Sequence, residues 1–127
     1  SGEIASLDAT RPGDPVDATL RIEWNNVPPR LVEGLSIGQA EQHRGADARI
    51  TNIQTEPATV VLESDDGQIY ARDHPVNKDV TLTLDVTARE SDAGLSFHGR
   101  QVQRGDSITL DFGTLSVNGT LISIDEE

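Results

Sequence analysis

Cysteine and methionine are both absent from the 127 residues of this chain. Without cysteine there can be no disulfide, no thiolate nucleophile and no cysteine-ligated metal site. Aromatic residues are scarce too, with one Trp, one Tyr and two Phe, so the chain lacks an aromatic platform for stacking bases or sugars. The apolar runs are far too short to cross a bilayer.

Lysine is the next scarce residue. Lys78 is the only Lys among ten Lys and Arg, which stand against 22 Asp and Glu for a formal net charge of −12. At about 1 M salt the Debye length falls to about 3 Å, so a carboxylate-rich surface repels itself little and stays hydrated. The composition predicts a halophilic protein; an ordinary acidic mesophilic protein is the alternative. Nucleic acid and anionic membrane surfaces are disfavoured as partners, because both need clustered Lys and Arg.

Period-two alternation of apolar and polar residues dominates the chain, and long helical periodicity is absent, which predicts a mainly β fold. The clearest strand is 79–89. The other predicted strands are 18–24, 46–53, 58–63, 68–72, 95–97, 107–112, 115–117 and 120–124. One short helix is expected near residues 29–34, opened by Pro28-Pro29 and stopped by Gly34.

Three short motifs are predicted to interrupt strands. Glu56-Pro57 is predicted to connect the strands at 46–53 and 58–63, and Asp73-His74-Pro75 is predicted to end the strand at 68–72. Asn118-Gly119 is a strong two-residue hairpin signal, since both residues tolerate positive φ.

The chain resembles itself at a spacing of 60 residues: Gly34-Leu35-Ser36 matches Gly94-Leu95-Ser96, and Arg44-Gly45 matches Arg104-Gly105. This predicts two pseudo-repeated units of about 60 residues, about 18–64 and 80–124, packed as a small barrel or sandwich. Chance recurrence of glycine turns is the alternative. The single β domain is expected to span 16–125, after a tag scar and linker at 1–15 suggested by the opening Ser1-Gly2 and the missing initiator Met.

No catalytic or cofactor-binding motif is present, so we expect a protein that is not an enzyme and binds no cofactor. His43, His74 and His98 have no spacing typical of metal ligands. A triad assembled in space from distant residues remains an alternative.

Two binding or modification sites are suggested by short motifs. Asp65, Asp66, Asp73 and Asp79 supply oxygen ligands for a candidate calcium site, although in so acidic a chain they also fit a hydration surface. Asn118 begins an Asn-x-Thr sequon and is a candidate for glycosylation.

Four segments resemble the family catalogued as domain of unknown function 4330, found in cyanobacteria, some other bacteria and haloarchaea. They are Leu31–Gly38, Ala48–Val61, Asp79–Ala88 and Gly94–Ile124. The resemblance covers most of residues 16–125 and rests on strand and turn patterns rather than chemistry. It implies an extracytoplasmic domain preceded by one transmembrane helix, which a trimmed fragment would have lost, and it carries over no catalytic residue.

The sequence therefore predicts a non-enzymatic, membrane-anchored interaction or assembly module on the extracytoplasmic side of a haloarchaeal-type cell membrane. A protein partner or self-association is expected, with exposed β edges as the binding surface. The membrane is contacted only through the missing segment. The alternatives are a small-ligand or calcium-binding receptor domain and a hydrolase whose site is not recognisable by motif; a cytoplasmic location also remains open.

The charge balance predicts that salt stabilises the fold. Raising NaCl from about 0.1 M to about 1 M shortens the Debye length from about 10 Å to about 3 Å, and should raise the thermal unfolding midpoint by about 5 °C or more. Thermal unfolding followed by circular dichroism measures this. A midpoint that falls or stays constant contradicts the halophilic interpretation.

Overall fold

The structure, a computed structural model, describes residues 13–41, 48–92 and 94–127. These residues form seven β-strands and one short helix, joined by turns and loops. In chain order they are β1 (Pro15–Val27), α1 (Pro29–Val32), β2 (Ala48–Glu63), β3 (Ile69–Ser91), β4 (Gly94–Phe97), β5 (Arg100–Gln101), β6 (Ser107–Asp111) and β7 (Ser116–Glu126). The prediction of a mainly β fold with one short helix is confirmed.

The strands form one antiparallel sheet that curls into a half-barrel. Its order is β5-β4-β3-β1-β7-β6, and β2 pairs with β3 off this path. β3 is 23 residues long and pairs with β1 on one edge and with β2 on the other. The half-barrel agrees with the barrel-like architecture expected from the sequence.

The core lies on one face of the curled sheet. Along β3 the alternate residues Val80, Leu82, Leu84, Val86 and Ala88 are all buried, as the sequence alternation predicts. Each large aliphatic side chain withdrawn from water in this way contributes about 1.5–3 kcal/mol. The residues that complete the core lie on strands β1, β2, β6 and β7: Leu20, Ile22, Ile50, Leu110, Val117 and Leu121.

Helix α1 begins at Pro29, where the absent N–H costs no hydrogen bond, and is only four residues long. Leu31 and Val32 are half-buried and pack against the core. No helix in the described ranges is both long and apolar enough to cross a membrane.

The predicted strand breaks at Glu56-Pro57 and Asp73-His74-Pro75 are wrong, because both segments lie inside continuous strands. Between the pairs Pro57–Lys78 and Thr59–Asp73 one residue of β2 faces four of β3, so residues 74–77 bulge outwards. His74 Nδ1 accepts hydrogen bonds from the backbone N–H groups of Val76 (3.1 Å) and Asn77 (2.8 Å). The bulge thus absorbs Pro75 without ending the strand.

The predicted hairpin turn at Asn118-Gly119 is also wrong. Both residues lie within β7, facing Thr109 and Ile108 of β6, and the β6–β7 turn lies before them at residues 112–115. Position 119 requires glycine because there is no room for a side chain between β7 and β1. A Cβ on Gly119 would lie 2.3 Å from Ile22 Cγ2 and 2.8 Å from the Glu23 carbonyl oxygen of β1.

The structure does not confirm the two pseudo-repeated units. Gly34 follows helix α1 in a turn, whereas Gly94 begins strand β4. Ile37 is 66% exposed, whereas its predicted equivalent Phe97 is 3% exposed. Arg44-Gly45 lies outside the described residues. Ile50 and Leu110, 60 residues apart, are both buried in strands, but the Gly-Leu-Ser motifs and the residues that follow them occupy different environments.

The strand position of Gly119 predicts that Gly119→Ala destabilises the fold by about 2 kcal/mol or more, since the added methyl group collides with β1. Asn118→Ala is the matched control. Asn118 is exposed in the same strand, so its truncation should change stability by less than about 0.5 kcal/mol. Urea unfolding measures both. A large loss for Asn118→Ala would indicate a turn and contradict the strand.

Candidate functional site

The four calcium candidates lie along the hairpin formed by β2 and β3. Asp65 and Asp66 are in the turn at its tip, Asp73 faces Thr59, and Asp79 faces Glu56. Glu63, beside the turn, lies seven positions along β2 from Glu56, which is about 23 Å of strand. The described residues contain no group of three or more His, Asp or Glu side chains that could hold a metal ion. The structure therefore does not bring the four carboxylates together.

Two of these carboxylates have structural partners. Asp66 accepts hydrogen bonds from the Ser64 hydroxyl and from the Gln68 N–H (3.2 Å), which lower the pKa of its carboxyl below the usual value. These bonds close the exposed turn. Asp79 Oδ1 accepts a bond of 2.9 Å from the backbone N–H of Asn26, whose positive φ of 56° ends the regular part of β1. In this structure Asp66 therefore stabilises a turn, and Asp79 stabilises the register shift at the end of β1.

The other candidates of the sequence analysis are dispersed. His74 holds the bulge of β3, and His43 lies outside the described residues. Asn118 is exposed on β7, so the sequon remains a prediction, now on a strand instead of a hairpin tip. His98 contacts the ionisable side chain of Glu41.

His98 and Glu41 form a pair at the edge of the core. His98 Nε2 lies 2.8 Å from Glu41 Oε1, and the Asp111 N–H donates a 3.4 Å hydrogen bond to Glu41 Oε2. The Glu41 side chain is fully buried, and that of His98 is 17% exposed. The Phe97 ring stacks on the imidazole, with centroids 4.1 Å apart. Such a pair can fix two chain segments together or move a proton.

A tight turn positions the imidazole. Phe97 pairs with Arg100, which leaves His98 and Gly99 as a two-residue hairpin loop, with φ of 57° and 78°. Positive φ at both central residues is the type I′ geometry that fits the twist of a β-hairpin. Histidine adopts it more readily than most residues. Sequence reasoning missed Glu41 because 57 residues separate it from His98, and no local motif joins them.

A cavity of about 410 Å³ lies beside Glu41. Its charged lining consists of Asp17, Glu41, Arg49, Asp85 and Glu127. Four carboxylates and a single guanidinium give a predominantly negative wall. The Arg49 guanidinium donates a 2.6 Å hydrogen bond to the Gly38 carbonyl oxygen, so it already has a structural partner.

The distal part of the β2–β3 hairpin, residues 59–73, is a two-stranded projection that we call the arm. Val61, Leu62, Ile69 and Tyr70 on the arm are 68%, 41%, 72% and 47% exposed. β1 pairs with β3 only as far as Lys78. Within the described residues, no strand pairs with the outer edges of residues 59–63 or 69–73. The arm thus combines exposed apolar side chains with unpaired backbone groups.

Sequence reasoning predicted both strands of the arm, at 58–63 and 68–72, but it ended the second at Asp73-His74-Pro75 and missed both its continuation into the core strand and the exposure of its apolar side chains. The available signal was the consecutive apolar run Val60-Val61-Leu62, which places apolar side chains on both faces of one strand. Such a run is typical of a strand buried on both faces, but here it lies outside the core.

The chain belongs to the family described as "Domain of unknown function (DUF4330)", whose family model matches residues 1–125. The resemblance drawn from the strand patterns is confirmed at this level. The comparisons with curated proteins and with solved structures gave no match.

Because Glu41 is buried and paired with His98, we expect its truncation to reduce the free energy of unfolding more than truncation of an exposed carboxylate does. Glu41→Ala removes the buried carboxylate that the imidazole and the Asp111 N–H contact, and should cost about 2–3 kcal/mol of unfolding free energy. Glu33→Ala, an exposed control, should cost less than about 0.5 kcal/mol.

A double-mutant cycle with His98→Ala tests the contact itself by urea unfolding. The double variant should be about 1 kcal/mol more stable than the sum of the single losses predicts, because either substitution alone already removes the contact. Strictly additive losses would show that the two side chains do not interact.

Proposed function

We propose that this domain is a non-enzymatic interaction module in the cell envelope of a halophile, held on the extracytoplasmic side of the membrane by a segment that precedes residue 1. The observation that carries the interaction role is the arm. The envelope location rests on the expectation that the family resemblance supplies, and the halophilic setting rests on the charge balance of the sequence.

Apolar exposure on the arm is difficult to explain without a partner. In a chain with 25% charged residues and a net charge of −12, polar substitutes for Val61, Ile69 and Tyr70 would cost the core nothing, because these side chains lie outside it. Val61 and Ile69 lie on one face of the arm and Leu62 and Tyr70 on the other. Exposed apolar side chains of this kind on an otherwise polar surface are typical of an interaction site.

The backbone of the arm supports the same role. An isolated two-stranded ribbon is marginally stable in water, and the arm has only its own two strands for pairing among the described residues. Exposed edges are usually protected by charged side chains, proline or a bulge. Residues 69–73 contain no proline, and their two charges, Arg72 and Asp73, are of opposite sign. Their pairing with 59–63 is regular, and the bulge with Pro75 begins only after Asp73. A regular edge of this kind suits strand addition.

Site-specific photo-crosslinking in cells tests the interaction role. A photoreactive residue at Ile69 in the full-length protein should give a discrete adduct. The same residue at Thr109, which is exposed on strand β6 outside the arm, should not. Equal adduct patterns at the two positions, or none at Ile69, would contradict an interaction role for the arm.

Membrane attachment is tested separately. The full-length gene should encode an apolar span of about 20 residues before this domain, and the protein should remain with the membrane through a high-salt wash and be released by detergent. Release by salt alone, or a gene without such a span, would contradict anchoring while leaving the interaction role intact.

A second candidate function is a receptor domain for a small ligand or calcium, favoured by the cavity beside Glu41. Thermal unfolding in CaCl₂ against NaCl of matched ionic strength distinguishes calcium from general screening, since a ligand selective for the folded state raises the midpoint. Equal midpoints would exclude calcium binding.

A further inference from the structure

Resting on the interaction role proposed above, we propose that the arm's partner is a second copy of this chain, joined by antiparallel pairing of the two β3 edges about a twofold axis at Ala71. The unpaired edge of β3 is the side on which β1 lies further along the strand. β1 stops pairing at Lys78, and the second copy would add its strand beyond that point.

The hydrogen bonds of the tip show which residues of β3 face outwards. The Ser64 N–H donates a 2.8 Å bond to the Gln68 carbonyl, so this pair is hydrogen-bonded across the arm. In an antiparallel ladder bonded and non-bonded pairs alternate, and the pairing from Glu63–Ile69 to Thr59–Asp73 is regular. Ile69, Ala71 and Asp73 therefore direct their backbone N–H and C=O groups away from β2, towards the unpaired edge.

A twofold axis at Ala71 matches these outward groups. Ala71 then pairs with Ala71 of the second copy, and Ile69 pairs with its Asp73. Each of the three outward residues then forms a hydrogen-bonded pair with a residue of the second copy. Between them, Tyr70 lies opposite Arg72 of the second copy, and the reverse contact repeats across the axis. A guanidinium over a tyrosine ring is a favourable cation–π pair, and the arrangement places the only cation of the arm beside an aromatic ring twice.

A cation, Lys78, also lies near the end of the paired segment. Distances along the arm can be counted on β2, where Val61 faces Ala71 and Pro57 faces Lys78. Lys78 therefore lies four residue steps from the axis, on the side towards the core. The turn that carries Asp65 and Asp66 begins at about the same distance in the other direction. Twofold symmetry therefore brings the acidic turn of each arm to the level of Lys78 of the other, and of Asp79 beside it, about 13 Å from the axis.

The outer edge of β2 lacks this complementarity. Pairing it with itself about Val61, the residue opposite Ala71, would bring the acidic turn of the second copy beside Glu56 and Pro57, in a segment (56–66) without a cation, whereas the β3 edge carries Lys78 beside Asp79. Pro57 also lacks the N–H needed to extend that ladder. The β3 edge is therefore the one suited to a second copy.

Analytical ultracentrifugation of the full-length domain tests this pairing. Because each copy carries a charge of −12, the dimer dissociation constant should fall by more than tenfold between about 0.1 M and 1 M NaCl as screening increases. Ala71→Pro removes an outward N–H and should raise the dissociation constant in 1 M NaCl by more than tenfold. Proline is tolerated on an edge strand where the N–H points outwards.

Val61→Pro is the matched control, at the same level of the arm but on the β2 edge. It should leave the dissociation constant within about twofold of the parent, and circular dichroism checks that both variants are folded. A monomer at all concentrations in both salts, or a loss of dimer with Val61→Pro but not Ala71→Pro, would overturn the proposal.

Oxidative crosslinking gives the register without relying on proline variants. The chain has no cysteine, and residues paired across a twofold axis have Cα atoms about 5.5 Å apart, within disulfide range. Ala71→Cys should form a covalent dimer quickly in 1 M NaCl, and Val61→Cys should form it at least tenfold more slowly. Equal rates, or a faster reaction at Val61→Cys, would contradict pairing about Ala71.

The two proposals fail in different ways. If the purified chain is strictly monomeric while Ile69 crosslinks to a different protein in cells, the second-copy proposal is wrong and the interaction role stands. If Ile69 forms no adduct in cells and the purified chain is monomeric, both are wrong.

Discussion

The rest of the structure depends on the pairing of β3 along both of its edges. Its alternate residues from Val80 to Ala88 are buried, and they can be so only because β1 and β2 cover the backbone polar groups on either side. β7 joins the sheet through β1, and β4 through the end of β3. The same strand continues beyond β1 and carries one side of the arm. The core and the candidate interaction surface therefore belong to one continuous strand, separated by the bulge at residues 74–77.

The parts of the fold that the sequence predicted correctly are those in which local pattern and tertiary environment agree. Residues 79–89 alternate strictly, and one face of that strand is the core. Pro28-Pro29 followed by Gly34 correctly indicated a short helix. In each case the spacing of a few neighbouring residues determines the structure, so a single sequence is sufficient. The family assignment rests on patterns of the same kind.

The errors arose where a distant contact decides the conformation. Gly119 has the sequence context of a turn residue, but the nearness of Ile22, 97 positions away in the chain, makes it a strand residue. The only two-residue hairpin loop in the described residues whose central positions both have positive φ is His98-Gly99, a weaker signal. Glu41 and His98 meet only because β4, β5 and the segment before β2 come together at one edge of the sheet. No periodicity within a window of ten or fifteen residues contains that information.

The acidic surface and the apolar arm impose opposite demands on association, and salt changes the balance between them. Coulomb repulsion between two chains of charge −12 acts over the whole surface and weakens as the Debye length shortens. Burial of Ile69 and Tyr70 is a short-range gain that depends on area removed from water, so screening leaves it largely intact. Hydrogen bonds along an exposed edge likewise act only at contact. We therefore expect a chain with this combination of surface charge and exposed edge to remain dispersed at low ionic strength and to associate as ionic strength rises. Under this argument the excess of carboxylates limits indiscriminate pairing of the edge and leaves association to partners that match its register.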